Sequence, residues 1–151
     1  MNNKIVIGRE DMADFPELNL EAVRVKIDTG AYTSSFHCRH IQEVKNEGEK
    51  KLQCYFLDPG HQQYHDKEYI FPDFTVKKVK SSNGISEERY SVKTTIRLFN
   101  RVYPIRLTLT ERGNMRFPVL LGRKFLSKRF LVDSSKKDLS SKGEIQFPPP
   151  S

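Results

Sequence analysis

The sequence has little of what marks a membrane protein or a secreted disulfide scaffold. Its 151 residues include no tryptophan and only two cysteines, Cys38 and Cys54. Two cysteines are too few for a disulfide framework, so we expect two free buried thiols in a reducing compartment. No apolar run approaches the ~18 residues of a spanning helix, and the first residues lack the apolar region of a signal peptide. We therefore expect a cytoplasmic protein with no membrane partner.

The chain is short and basic, with 26 Lys plus Arg against 19 Asp plus Glu and a formal charge of +7. A chain of this length fits one core, because two independent units would each be short of buried area. We predict a single domain over residues 1–147, followed by a disordered tail over 148–151. The charge implies an acidic partner, which leaves nucleic acid, an anionic membrane and a carboxylate-rich substrate open.

Alternation of apolar and polar residues dominates the sequence and indicates half-buried strands. Strands are predicted over residues 22–28, 52–57, 74–79, 90–98 and 102–110, with a last short one around 145–147. The pair 90–98 and 102–110 is predicted to form a hairpin. About eight short strands favour an all-β, closed or nearly closed barrel, because closure removes exposed edges.

Turn and helix signals complete the secondary-structure prediction. Ser81-Ser82-Asn83-Gly84 lies between two predicted strands, and Asn-Gly favours a tight, projecting hairpin. A helix of about two turns is predicted over residues 123–129, after the break at Gly122, with Arg129 favouring its C-terminal end. Residues 134–142 are rich in Ser and Lys and are predicted to form a solvated loop.

The most informative segment is Asp28-Thr29-Gly30-Ala31, which follows the strand predicted over 22–28. A strand there delivers a carboxylate into a turn, and Gly30 lets the backbone bend with no Cβ in the way. Such a loop can hold a carboxylate rigidly at an active site. The alternative interpretation is an Asx-type turn in which Asp28 only caps its own loop.

A second segment, Leu120-Leu121-Gly122-Arg123, ends a buried apolar run and enters the predicted helix. Together the two segments resemble one half of a pepsin-type aspartic peptidase, in the single-lobe, retropepsin-like form. In that fold the Asp-Thr-Gly loop is braced by an apolar strand that ends in Gly and leads into a helix. The resemblance implies a retropepsin-like barrel with one short C-terminal helix.

Further segments resemble a narrower bacterial family, the RimB-type proteins named ATP-dependent zinc proteases. The matching segments, in chain order, are 16–18, 26–31, 33–37, 82–84 with 88–89, 108–110 with Arg112, and 118–123. Members are retropepsin-like and are associated with ATP-grasp ligases that add glutamates to a protein. The residues give little support to the words "ATP-dependent" and "zinc", and the resemblance implies no cofactor.

The resemblance implies a homodimeric aspartic peptidase, because one lobe carries one catalytic Asp and two must pair about a two-fold axis. Asp28 would then share a proton with its symmetry mate and activate a water as general base. Thr29 would bond across the dimer, Gly30 would leave room for the substrate backbone, and Leu121 and Gly122 would support the dimer with Arg123.

The resemblance also implies substrate contacts, and this chain departs from the family pattern at one position. Ala31 and the hairpin tip Ser82-Asn83-Gly84 would contact substrate, with the hairpin acting as a flap that closes over the site. Viral members commonly have an acidic residue where this chain has Tyr32, so Arg123 is predicted to lack its usual partner.

The positive charge and the implied ligase association suggest an acidic peptide substrate. Arginines near a cleft can neutralise carboxylates with bidentate hydrogen bonds. Arg89, Arg112 and Arg116 are the candidates, because they lie beside the flap and just before the second motif.

Two alternatives from other classes stay open. His37, Cys38 and His40 are weak candidate zinc ligands, because their spacing matches no established zinc pattern. A basic face on a small barrel with aromatic residues is typical of single-strand nucleic-acid binding. That face would be built from residues 77, 78, 80, 97, 101, 106, 112, 116, 123, 124, 128 and 129. The predicted strands bury most aromatics, so nucleic acid is the less favoured partner. A non-catalytic barrel that binds acidic peptides is the remaining alternative.

Overall fold

A computed structural model describes residues 3–80, 83–111 and 116–149 of the chain. The chain is nearly all β, because alternating apolar side chains let successive strands bury one face each. In chain order the elements are β1 (Ile5–Ile7), β2 (Glu10–Phe15), a 3-10 turn (Pro16–Leu18), β3 (Leu20–Ile27), β4 (Ser34–Asn46), β5 (Glu49–Phe56), β6 (Tyr69–Phe71), β7 (Thr75–Lys80), β8 (Ser86–Leu98), β9 (Arg101–Thr110), β10 (Val119–Leu121), α1 (Arg123–Leu126) and β11 (Phe130–Val132).

Six of the strands close into a barrel. Their order is β10-β3-β2-β8-β9-β4, and β4 pairs back onto β10. β5 and β6 continue the sheet outward from β4, β7 pairs with β8, and β1 forms a separate parallel pair with β11. The predicted all-β closed barrel with one short helix is therefore confirmed.

Aromatic side chains fill the middle of the barrel. Phe36 on β4 is fully buried and lies between Phe15 and Phe56, with ring centroids 5.0 and 4.8 Å away. Such tilted and edge-on pairs add to the free energy gained from burying the rings. The expectation that most aromatics are buried, and so cannot stack on bases, agrees with this core.

The two longest predicted strands pair as expected. β8 and β9 form an antiparallel hairpin in which Leu98 faces Arg101, and the turn residues Phe99 and Asn100 have φ of 53° and 58°. Two successive residues with positive φ give a turn whose twist matches that of the strands. The predicted hairpin also forms, from β7 and β8, at the place that the resemblance gives to the flap.

Two local predictions are wrong. The helix spans only Arg123–Leu126, because Ser127 already has extended backbone with ψ of 138°. Residues 145–147 form no strand, although the carbonyl of Gln146 accepts a hydrogen bond from Val6 N at 2.8 Å. In the loop between β7 and β8, Gly84 has the predicted positive φ of 84°, and residues 81 and 82 lie outside the described residues.

The polar segment 134–142 is more than a solvated loop. Leu139 is buried, and the Asp11 carboxylate accepts hydrogen bonds from Ser140 N at 2.8 Å and Ser141 N at 3.1 Å. Burial raises the pKa of Asp11, and these backbone donors oppose the rise. Asp138 also pairs with Arg24 at 2.9 Å. The Ser and Lys content of the segment does not predict these contacts, because they are made by backbone groups and by side chains far away in the sequence.

Within the described ranges, no helix has the length and apolar character needed to cross a membrane. The tail predicted over 148–151 falls partly outside the described residues.

The two cysteines provide a test of the core. Cys38 and Cys54 are free and buried, and burial, followed by their mutual contact, raises the pKa of Cys38 well above its usual value. Thiolates are the reactive form, and burial keeps Cys38 protonated and hides both sulfur atoms from the reagent. We therefore predict that neither thiol reacts with Ellman's reagent in the native protein at mildly alkaline pH. Both should react at once in concentrated guanidinium chloride. Rapid labelling of the native protein would contradict this packing.

Candidate active site

The Asp28 loop begins where β3 ends. β3 runs parallel to β10, with Ile27 facing Leu121, and the next amide, Asp28 N, donates to Leu121 O at 2.9 Å. Gly30 N donates to Asp28 Oδ1 at 3.1 Å, and Ala31 N to Asp28 O at 3.2 Å. The Asx turn of the alternative interpretation is therefore present, and it fixes the direction of the carboxylate.

The second motif braces this loop through backbone groups. Gly122 N donates to the buried Ser34 Oγ at 3.0 Å. The first amides of α1 donate to the loop, Arg123 N to Ala31 O at 2.8 Å and Lys124 N to Tyr32 O at 2.9 Å. The first amides of a helix have no partner within the helix, so the loop carbonyls satisfy them. The structure thus brings the two predicted motifs together.

Gly122 is where the two segments come closest. A Cβ at this position would lie 2.6 Å from Thr33 O and 2.7 Å from Tyr32 O. Both atoms are backbone atoms, so the loop would have to move to make room. The glycine is needed because of this close approach.

Arg123 has partners other than the acidic residue found in viral relatives. Its Nη1 donates to Thr29 O at 3.0 Å, and its guanidinium lies 5.8 Å from the ring centre of Tyr32. A cation over an aromatic face is attracted by the ring quadrupole. Tyr32 therefore contacts Arg123 from the position at which viral members commonly have an acidic residue.

A cleft of about 590 Å³ opens beside the loop. Its lining residues come from the Asp28 loop, β4, the flap strand β8, the end of β9 and β10: residues 28, 31, 33, 35, 41, 87, 88, 89, 90, 108, 109, 110, 111 and 120. Pockets for small ligands commonly span ~300–1,000 Å³. Asp28, Ala31 and Arg89 of the predicted site therefore share one cavity.

The other predicted substrate residues are placed differently. Asn83 and Gly84 lie in the flap loop and do not line the cleft, and Ser82 and Arg112 lie outside the described residues. Arg116 packs on Phe117 and lines a separate cavity with His37 and Asp58. Of the two predicted arginines that the structure describes, Arg89 lines the cleft and Arg116 does not.

The cleft also contains acidic residues that sequence reasoning missed. Glu87, Glu88 and Glu111 line it together with Asp28, and the single described arginine, Arg89, pairs with Glu87 at 3.2 Å. The described part of the cleft therefore has an excess of carboxylates. In the sequence these residues look like ordinary exposed strand positions, and only the closure of the barrel places them beside Asp28.

Tyr90 links the flap to the barrel. Its hydroxyl lies 2.9 Å from Glu43 Oε2 on β4 and 2.8 Å from Glu88 Oε2 on β8. Burial, then the hydrogen bonds to Glu88 and Glu43, raise the pKa of Tyr90, so the hydroxyl keeps its proton. The alternation that predicts β8 also places Tyr90 on the same face as Val92. The sequence therefore contains a signal that Tyr90 shares the face of a buried residue.

The three weak zinc candidates do not converge. His37 Nε2 lies 2.9 Å from Asp58 Oδ1, Cys38 Sγ contacts Phe36 O inside the core, and His40 packs edge-on against Tyr55. Among the residues that the structure describes, no group of three or more His, Cys, Asp or Glu side chains is arranged to hold a metal ion.

The closed barrel and the braced Asp-Thr-Gly loop define the single lobe of a retropepsin-like fold. The family model RimB-like, described as retropepsin-like aspartic endopeptidase RimB, matches residues 6–143. The chain belongs to this family. The family match does not support the name zinc protease.

Three similar proteins have other names than the family. A crystal structure of Lpg0085, a protein of unknown function (DUF785) from Legionella pneumophila, superposes with a TM-score of 0.69 and 27% identity. The superposition covers 91% of this chain and 98% of the Lpg0085 chain. A probable alpha-L-glutamate ligase of Shewanella pealeana is 37% identical over 96% of this chain and 32% of that protein. A protein of the same name from Desulfotalea psychrophila is 34% identical over 86% of this chain and 28% of its own length. The chain thus spans about a third of the length of these curated relatives.

The close approach at Gly122 can be tested by mutation. Gly122→Ala should lower the free energy of unfolding by about 1–3 kcal/mol or more, because the new methyl group meets fixed backbone atoms. Gly60→Ala is the matched control, since a Cβ there has no atom within 4 Å. Urea denaturation measures both. Equal stability of the two variants would contradict the bracing of the loop.

Proposed function

We propose that the protein is an aspartic endopeptidase that works as a homodimer, with one Asp28 from each subunit. The observation that carries the proposal is the position of Asp28, in a loop that backbone hydrogen bonds hold at the edge of an open cleft. Membership of a family described as retropepsin-like aspartic endopeptidases supports the same activity.

The second subunit is required by chemistry. A retropepsin-like lobe supplies one Asp-Thr-Gly loop, and a two-fold axis beside Asp28 would place a second carboxylate opposite the first. Thr29 and Gly30 are exposed at the tip of the loop, where they are free to meet a partner. Two carboxylates ~3 Å apart cannot both be ionised, so the pair would share one proton and titrate as a unit.

The proposed reaction follows from this shared proton. The ionised carboxylate removes a proton from a bound water, whose oxygen attacks the carbonyl carbon of the peptide. The protonated carboxyl donates its proton to the carbonyl oxygen. When the tetrahedral intermediate collapses, the C–N bond breaks and the amine leaves with a proton from one carboxyl of the dyad. A hydroxyl of the intermediate gives its proton to the other carboxylate, so a carboxylic acid forms and the dyad again holds one proton.

The flap would then close over the substrate. β8 forms one wall of the cleft, and Tyr90 anchors the base of the hairpin to Glu43 on β4. A hairpin fixed at its base can exclude water from the site without moving the barrel.

Glutamate-rich peptides are the substrates we propose. The support is the name of the relatives, alpha-L-glutamate ligase, since a chain fused to such an enzyme would meet glutamate-rich products. The two free thiols are typical of a reducing compartment and support a cytoplasmic location.

The catalytic role of Asp28 is tested by Asp28→Asn. Hydrolysis of a glutamate-containing peptide should fall at least ~100-fold, because the amide cannot accept the proton of the water. Asp66→Asn, at an exposed aspartate away from the cleft, is the control and should retain activity. Equal turnover by the wild type and Asp28→Asn would contradict an aspartic mechanism and favour a non-catalytic binding barrel.

The dimer is tested by dilution. If two subunits form one site, activity per mole of protein should fall once the concentration drops below the dimer dissociation constant. Sedimentation velocity should show the dimer in the same concentration range. Activity per mole that stays constant while sedimentation shows only a monomer would rule out a shared site.

A further inference from the structure

A group of cations surrounds α1 on the outside of the barrel. We call it the α1 basic face, and define it by Arg106, Arg123, Lys124, Lys128 and Arg129. Four of them line a concavity of about 470 Å³ with Tyr32 and Ser127. A neighbouring cavity of about 160 Å³ contains Arg106 and shares Lys124 and Arg129 with the first.

None of these five cations is seen in an ion pair. Among the residues that the structure describes, no Asp or Glu lines either cavity. In the described part of the chain, the ion pairs involve other cations, such as Arg24 with Glu10 and Arg97 with Asp14, and none includes a member of the α1 basic face. The positive charge of this face is therefore left for something outside the chain to neutralise.

The three guanidinium groups are held in place by uncharged partners. Arg129 Nη1 donates to Phe125 O at 2.9 Å, and Arg106 Nη1 donates to Ser91 Oγ at 3.1 Å. Arg123 is fixed by Thr29 O, as described above. Guanidinium groups fixed in this way lose little conformational freedom when they bind carboxylates.

The α1 basic face adjoins the cleft. Thr33 and Thr108 line both the smaller cavity and the cleft that contains Asp28. Arg123 also touches the Asp28 loop itself, through Thr29 O. An extended chain bound along α1 could therefore continue into the cleft.

The charges of the two regions have opposite signs. The described residues of the cleft carry more carboxylates than cations, whereas the α1 basic face carries only cations. An acidic segment would be repelled by Glu88 and Glu111 in the cleft and attracted by Lys124 and Lys128.

A second copy of the chain is a poor occupant of the part of this face beyond Arg123. Arg123 borders the loop at which the proposed dimer meets, but a two-fold interface over Lys124, Lys128 and Arg129 would bring like charges together, which costs free energy. Nucleic acid is also less favoured, because single strands bind by stacking bases on exposed aromatics. Tyr32 is the one exposed aromatic of the described residues here, and Arg123 lies over its ring.

We propose that the α1 basic face binds an acidic peptide segment of the substrate outside the cleft, while the less acidic stretch beside that segment enters the cleft. The second half of this statement rests on the proposed peptidase function. Docking would then determine which bond is cleaved. That bond would lie at the border between an acidic tail and the neighbouring sequence.

The test measures docking apart from catalysis. The probe is a fluorescein-labelled peptide with a run of glutamates joined to an uncharged stretch, bound to the full chain in the Asp28→Asn background so that it stays intact. Fluorescence anisotropy gives the dissociation constant. Lys124→Glu/Lys128→Glu should weaken binding at least ~10-fold, because two attractive contacts become repulsive.

Matched variants give the controls. Lys137→Glu/Lys142→Glu makes the same change in net charge at two exposed lysines on the C-terminal segment and should bind nearly as tightly as the parent. Lys124→Arg/Lys128→Arg should retain binding, and a glutamine version of the peptide should not bind. Thermal unfolding of each variant checks that it is folded.

Several results would overturn the proposal. These are an equal loss of affinity in the control pair, no binding of the glutamate peptide, or tighter binding of a single-stranded oligonucleotide of the same charge. A wild type that fails to cleave the probe, with docking intact, would instead contradict the peptidase function and leave the docking face standing. Cleavage within the glutamate run would contradict the assignment of the less acidic stretch to the cleft.

Discussion

The parallel pairing of β3 with β10 is the contact on which the rest of the site depends. It is a short pairing, but the loop after β3 and the helix after β10 both start from it. From there the Asp28 loop supplies carbonyls and the start of α1 supplies amides, so each segment satisfies backbone groups that the other leaves open. Gly122 permits this approach because it has no side chain to separate the two backbones.

This arrangement supports the proposal that one chain supplies half of an active site. The barrel fixes the Asp28 carboxylate at the edge of a cleft, and the loop tip remains exposed beside it. The charges are divided in a similar way, with carboxylates inside the cleft and cations along α1. The net charge of +7 therefore conceals two regions of opposite sign, only one of which suits an acidic partner.

Much of the fold and part of the site could be predicted from the sequence. The long hairpin of β8 and β9 was found because alternation persists over many residues, and the two motifs were found because their order and residue types are specific. The end of α1 was missed because it depends on the backbone of Ser127, not on a residue preference. The acidic lining of the cleft was missed because Glu87 lies on β8 and Glu111 follows β9, and only barrel closure brings them near Asp28.

Mixing subunits tests the central claim, that two copies of Asp28 form one site, most directly. Wild type and Asp28→Asn protein are mixed in equal amounts, allowed to exchange subunits, and assayed for peptide hydrolysis. If each site needs a carboxylate from both chains, random pairing leaves about a quarter of the dimers active, so the mixture should show about a quarter of the activity of the same total amount of wild type. Activity of about one half, as expected when each chain works alone, would contradict the account.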